Sequence, residues 1–153
     1  MPRVEEEIII RRPPEDVFAF TTAPENDHLW SSTAVERHVE SDGPIHVGTR
    51  IKAVDNFLGR RIESTFEVTE HEPNRRSAVR FVSGPIRAEG TYTYEPVTDG
   101  TRFRWALEAP PGLGGLYLGR VTDPLVTWIF RRRLQRDLRR LKAVMEGARS
   151  ASA

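Results

Sequence analysis

Few residues of this chain combine a reactive side chain with a position that could use it. Asp55 is the sharpest. In the alternating run Ile51, Ala53, Asp55, Phe57 it shares the face of the apolar residues, and a carboxyl among apolar groups has a raised pKa suited to general acid or base work. Asp55 also stands close to Leu58-Gly59, a hairpin signal where a strand end reaches water, so a solvated or bulged carboxylate is the competing reading. Ser64 and Tyr92 fall on the inward phase of their own strands and could complete a polar patch. His28 precedes Trp30 at the end of a short helical segment and could touch a ligand there. Asp55, Tyr92 and His28 are therefore the candidate acid–base groups.

Other chemistries are excluded or unsupported. With no cysteine, the chain has no thiolate nucleophile, disulfide or zinc–thiolate site. His28, His38, His46 and His71 are dispersed and form no HExxH pair, so neither a metal site nor a cofactor is expected. There is no GxSxG and no phosphate-cradling glycine loop.

A second set is aromatic. Trp30, Phe57, Phe66, Phe81, Tyr92, Tyr94, Trp105 and Trp128 are the large side chains expected toward the interior, together with Phe103. They would line a pocket for a small apolar ligand, the tyrosine hydroxyls orienting it. The alternative for each is that it fills the core.

The elements that must position these groups are mostly strands. Val4 to Arg11 carries three consecutive isoleucines and reads as a first strand. Pro13-Pro14 ends it and opens a helical turn with Glu15 and Asp16 at its positive end. Pro24 to Trp30 reads as a second short helix. Six strands follow, at Ala34–Glu40, Thr49–Phe57, Arg61–His71, Ser77–Val82, Arg87–Glu95 and Thr101–Glu108, separated by Gly-, Pro- and Asn-rich turns. Short links imply antiparallel neighbours. Ile62, Ser64, Phe66 and Val68 alternate with Glu63, Thr65, Glu67 and Thr69, and the last two strands repeat the pattern, so one face packs and the other meets water.

The long helical pattern runs from Leu113 to Gly147, after a glycine-rich link (Gly112, Gly114, Gly115) that suits a flexible gate. Its second half has one apolar stripe, Phe130, Leu134, Leu138, Leu141 and Met145. Leu118, Val121, Leu125, Trp128 and Ile129 make a stripe nearly opposite, so either the helix breaks near Asp123-Pro124 or the front half is covered on both sides. Chain packing, a homodimer through Leu118, Val121, Leu125 and Ile129, or an anionic membrane surface would each supply that cover. The second half reads as a plain packing helix, and the first half as the place to seek a pocket or gate.

At 153 residues the chain reads as one domain, 1–153, with a frayed tail from 147. A formal net charge of +1 argues against nucleic acid as partner, although seven of the twelve residues from Arg131 to Lys142 are basic. No apolar run of membrane-spanning length and no signal-peptide core occur, so a cytoplasmic location is the default expectation.

The order of elements, with PPEDVFAF after the first strand, HLW, GTRI, FEVTEHEPNRR, DGTRFRW and LRRLKAVMEG, resembles the START-like (SRPBCC, helix-grip) superfamily, in its polyketide cyclase/dehydrase-type branch, over essentially the whole length. The resemblance implies an α+β helix-grip fold, a curved antiparallel sheet of about seven strands wrapped around a long C-terminal helix, with two short helices after the first strand. It also implies a cavity for a small hydrophobic molecule, and no universal catalytic motif. The expectation is binding or transport of a lipid-, polyketide- or aromatic-like ligand. The alternatives are a cyclase/dehydratase-type enzyme using an inward carboxylate or tyrosine, and a protein-interaction or stress-related module acting through the C-terminal helix.

Overall fold

The structure, a computed structural model, describes residues 3–57, 59–85, 87–108 and 124–152, with the side chains of the last segment from 127 to 147. Strand β1 (Arg3–Ile10) leads into helix α1 (Pro14–Thr21), and a 3-10 turn at Pro24–Asn26 runs into the short helix α2 (Asp27–Trp30). Strands β2 (Ala34–Val39), β3 (Arg50–Phe57), β4 (Arg60–Glu72), β5 (Arg76–Ser83), β6 (Glu89–Val97) and β7 (Gly100–Glu108) follow, and α3 (Pro124–Ser152) closes the chain. The seven strands form one antiparallel sheet in the order β1-β7-β6-β5-β4-β3-β2. This is the helix-grip arrangement.

Local chemistry explains the boundaries. Pro13 and Pro14 start α1 without losing a helical N–H, and Glu15 and Asp16 occupy its first turn. Thr22 ends it, donating its hydroxyl to the Phe18 carbonyl at 2.7 Å. The β4–β5 and β6–β7 turns place Asn74 and Asp99 at φ 64° and 63°, left-handed backbone that these two residue types tolerate better than most.

Two register shifts between β4 and β5, at Thr65/Phe66 and Val68/Glu70, bend the longest strand. Bulges add curvature and twist, and the sheet curls around a concave face. Cross-strand rows such as Phe66–Phe81 and Tyr92–Trp105 line that face. On the convex face Arg102 bridges Glu7 and Glu95, and Arg104 bridges Glu5 and Glu7.

Helix α3 lays Leu134, Leu138, Leu141 and Met145 onto the concave face, where they meet Ile10, Val17, Trp30, Tyr94 and Phe103. Two sequence expectations need correction here. The helix does not stop at Gly147 but continues to Ser152. The second half is also not a plain packing helix: Asp137 sits within its apolar stripe at 0% exposure, and Arg133 faces the sheet. The glycine-rich link, Leu118, Val121 and Asp123 lie outside the described residues, as does the side chain of Leu125. Ile129 is half-buried.

Candidate functional site: a cavity with one charged end

A cavity of about 200 Å³ lies between the sheet, α2 and the start of α3. Strand β4 contributes Ile62, Phe66 and Val68 to its wall, β5 contributes Val79 and Phe81, and β3 contributes Ile51 and Phe57. Two ring pairs shape it. Phe66 and Phe81 meet edge to face at 5.8 Å, and Phe57 stacks on Phe130 of α3 at 5.7 Å and 18°. The second pair joins the end of β3 to the helix.

The other end of the cavity is polar. Arg37 of β2 reaches in and is clasped by two carboxylates. Its Nε donates to Asp27 Oδ2 at 2.8 Å, and one terminal nitrogen donates to Asp55 Oδ1 at 3.1 Å. The other terminal nitrogen donates to the Glu36 carbonyl at 2.9 Å. Thr33 donates to Asp55 at 2.9 Å and accepts from Arg133 at 3.0 Å. Arg133 lies 3.5 Å from Asp137, and Asp137 accepts the Ser32 N–H at 3.1 Å. A continuous polar chain thus runs from Asp137 on α3 to Asp27 on α2. The two guanidiniums also lie over aromatic rings, Arg37 at 5.8 Å from Phe66 and Arg133 at 5.6 Å from Trp105, positions that favour a cation.

Burial sets the protonation of these groups. It pushes the Asp27 carboxyl up to about 6, against the opposing pull of Arg37. Burial likewise raises the Asp137 carboxyl, against Arg133. For Arg37 burial works against the charge, but Asp55 and Asp27 outweigh it and hold the guanidinium more firmly charged than usual. Burial raises the Tyr92 phenol well above its ordinary value, and the nearby Asp27 charge adds to this. Tyr92 is therefore a hydrogen-bond donor at neutral pH rather than a phenolate.

Six of the aromatic candidates, Trp30, Phe57, Phe66, Phe81, Tyr92 and Trp105, stand on the cavity wall, with Asp55 and Ser64 beside them. Four candidates do not join them, Phe103 among them, because it is fully buried in the core. Tyr94 is buried beside Phe18 and Phe103, its hydroxyl 2.6 Å from that of Thr21. Trp128 is 55% exposed with Arg132 over its ring, because its helical phase points away from the Leu134 stripe. His28 is exposed and borders a shallow outer groove with Val35 and Glu36. His71 packs its ring 5.1 Å from Phe18.

Asp27, Arg37, Arg133 and Asp137 are absent from the sequence reading. For Asp137 a signal existed: an acid three residues after Leu134 and one before Leu138 lies on the apolar stripe. For Arg37 the signal was its two-residue alternation with Val39, masked because a register shift between Ala34 and Glu36 takes Val35 out of that phase and exposes it.

The sequence profile described as polyketide cyclase / dehydrase and lipid transport matches residues 1–146. The chain belongs to this family. Solved structures similar to this family member share its fold. TTHA0849 from Thermus thermophilus is 23% identical, with a TM-score of 0.68, over 94% of this chain and 99% of that one. Ara h 8.0201 is 12% identical, with a TM-score of 0.70, over 95% and 97%. DynU16, a putative protein in the dynemicin biosynthetic locus, is 18% identical with a TM-score of 0.63, and the match covers 95% of this chain but 48% of that one. No curated protein matches the chain in sequence. Among the described residues no helix is long and apolar enough to cross a membrane, and no cluster of His, Asp and Glu could hold a metal ion.

Proposed function

We propose that this family member binds a small hydrophobic molecule between the sheet and α3 and carries it rather than transforming it. The observation that supports this reading is the composition of the cavity wall: aromatic and aliphatic side chains from β3, β4, β5 and α3 enclose most of it, and polar groups converge at one end. That is the usual design of a small-molecule site. Val79, half-buried on the wall, provides the test. Val79→Trp should fill the cavity, leave the fold intact by circular dichroism, and weaken binding of a naphthylamine dye by at least about tenfold. Wild-type protein that binds no member of an apolar library, by dye displacement and native mass spectrometry, would exclude the reading.

A second reading, acid–base catalysis on an aromatic polyketide-like substrate, is favoured by one observation. The Asp27 carboxyl, pushed up to about 6 by burial, is electrostatically coupled to the protonated Tyr92 hydroxyl. A carboxyl near that value exchanges protons readily at neutral pH. Asp55, the sequence candidate, accepts from both Arg37 and Thr33, whereas the Asp27 carboxyl accepts from Arg37 alone among the described residues. Turnover of a candidate substrate that survives both Asp27→Asn and Tyr92→Phe would rule this reading out.

A further inference from the structure

We infer that the cavity selects an uncharged hydroxyl- or carbonyl-bearing hydrophobic molecule and discriminates against carboxylate and phosphate head groups. The inference rests on the binding function proposed above and adds the class of ligand.

Both arginines at the cavity already face carboxylates, although the buried Arg133 Nε completes no hydrogen bond. Arg37 gives its Nε to Asp27 and its terminal nitrogens to Asp55 and the Glu36 carbonyl. Arg133 gives a terminal nitrogen to Thr33 and faces Asp137 at 3.5 Å. The linked charges are Arg37 and Arg133 against Asp27, Asp55 and Asp137, two positive and three negative groups, so the formal balance with all of them ionised is −1. Glu108, also on the wall, adds a further acid and is bridged to Arg3.

An anionic head group entering this space would lose its hydration and meet only guanidiniums that already face carboxylates, Arg37 between Asp27 and Asp55 and Arg133 beside Asp137. Desolvation of an unpaired charge is among the largest penalties a buried site imposes. Opening the Arg37 clasp to receive the ligand would leave Asp27 or Asp55 unpaired instead.

Neutral polar groups with no carboxylate or guanidinium partner stand on the same wall. Tyr92 lines the cavity and its hydroxyl makes no hydrogen bond to another described residue. Ser77, its cross-strand partner, lines the same wall. Ser64 also borders the cavity, and its buried hydroxyl has no partner. Tyr92 donates to a carbonyl or hydroxyl oxygen, and the serines can donate or accept. A ligand alcohol or ketone therefore finds complementary partners without disturbing the arginines.

The test is dye displacement at about pH 8, where ligand carboxylate and Asp27 are both ionised. The probes are 1-dodecanol, 2-dodecanone, dodecanoate and dodecyl phosphate, alike in chain length and different in head group. The alcohol and ketone should bind at least about tenfold more tightly than either anion. Anions that bind equally or better overturn the inference while leaving the binding function standing. If the wild type binds neither the dye nor any of the four, by native mass spectrometry as well, both proposals fall together. Asp27→Asn removes one negative charge and frees part of Arg37, so it should narrow the gap by strengthening dodecanoate binding. A gap unchanged in the folded variant overturns the charge argument. Tyr92→Phe, which keeps the ring packing, should weaken dodecanol several-fold more than it weakens the dye. Equal dodecanol affinity in wild type and Tyr92→Phe overturns the role assigned to the hydroxyl.

Discussion

The concave face of the sheet has two halves that differ in what covers them. Along β1, β7 and the far end of β6, the face is filled: Ile10, Tyr94 and Phe103 pack directly on Leu134, Leu138 and Leu141 of α3. Along β3, β4 and β5, side chains of the same kinds, Ile51, Phe66 and Phe81, face open space. Composition does not separate the halves. The position of α3 does, because the helix lies over β1 and leaves the opposite side of the curved sheet uncovered. An apolar face becomes core or cavity according to whether another element supplies the facing surface.

The largest expected effect tests that contrast. Leu138→Ala, in the filled half, should lower unfolding free energy by about 2–5 kcal/mol in urea titration. Phe81→Ala, on the open half, already borders a void and should cost distinctly less while weakening ligand binding. Equal losses at the two positions would erase the distinction.

The polar chain joins the halves, and its α3 end should come next in size. Asp137→Ala leaves the Ser32 N–H without its acceptor and Arg133 without its carboxylate. A loss of about 1–3 kcal/mol is expected from stranded buried donors. A neutral or stabilising outcome would mean that the burial of Asp137 opposes folding more than its contacts favour it.

At the other end of the chain the readout is pH. The Asp27 carboxyl lies at about 6 in the folded protein against 3.8 for the free group. The folded state therefore takes up this proton first as the pH falls, and stability contributed at Asp27 rises through that window and is lost again as the pH climbs past 6. Relative to Asp27→Asn, which cannot titrate, the wild type should gain about 1 kcal/mol on going from about pH 7 to about pH 5. A difference that is flat, or that grows with rising pH, would contradict the buried placement of Asp27. The smallest effect belongs to the convex face. Arg102→Ala breaks exposed pairs with Glu7 and Glu95 and should cost less than about 1 kcal/mol, shrinking further at high salt.

The filled half was legible in the sequence because both of its components are periodic. The four-four-three-four spacing of the α3 stripe and the two-residue alternation of β4, β6 and β7 each name a face without knowledge of the other. The wall of the open half was legible for the same reason, since Phe66, Phe81 and Tyr92 follow strand phase. Its charged end was not. Arg37 reaches the cavity only after an irregularity in β2, and Asp27 reaches Arg37 from the first turn of a four-residue helix. The approach of Asp27 to Arg37 has no period. Trp128 shows the opposite failure. Its size suggested an interior place, whereas its phase, shared with Arg132 and opposed to Leu134, pointed outward.

The irregularity in β2 has a consequence beyond the cavity. Strand β2 is the last in the sheet among the described residues, and such a margin offers free backbone groups to any other extended chain. The register shift at Ala34/Glu36 breaks the even spacing of those groups and twists the margin, which obstructs the addition of an eighth strand. One displaced residue therefore both sets the inward phase of Arg37 at the cavity and guards the rim of the sheet against self-association.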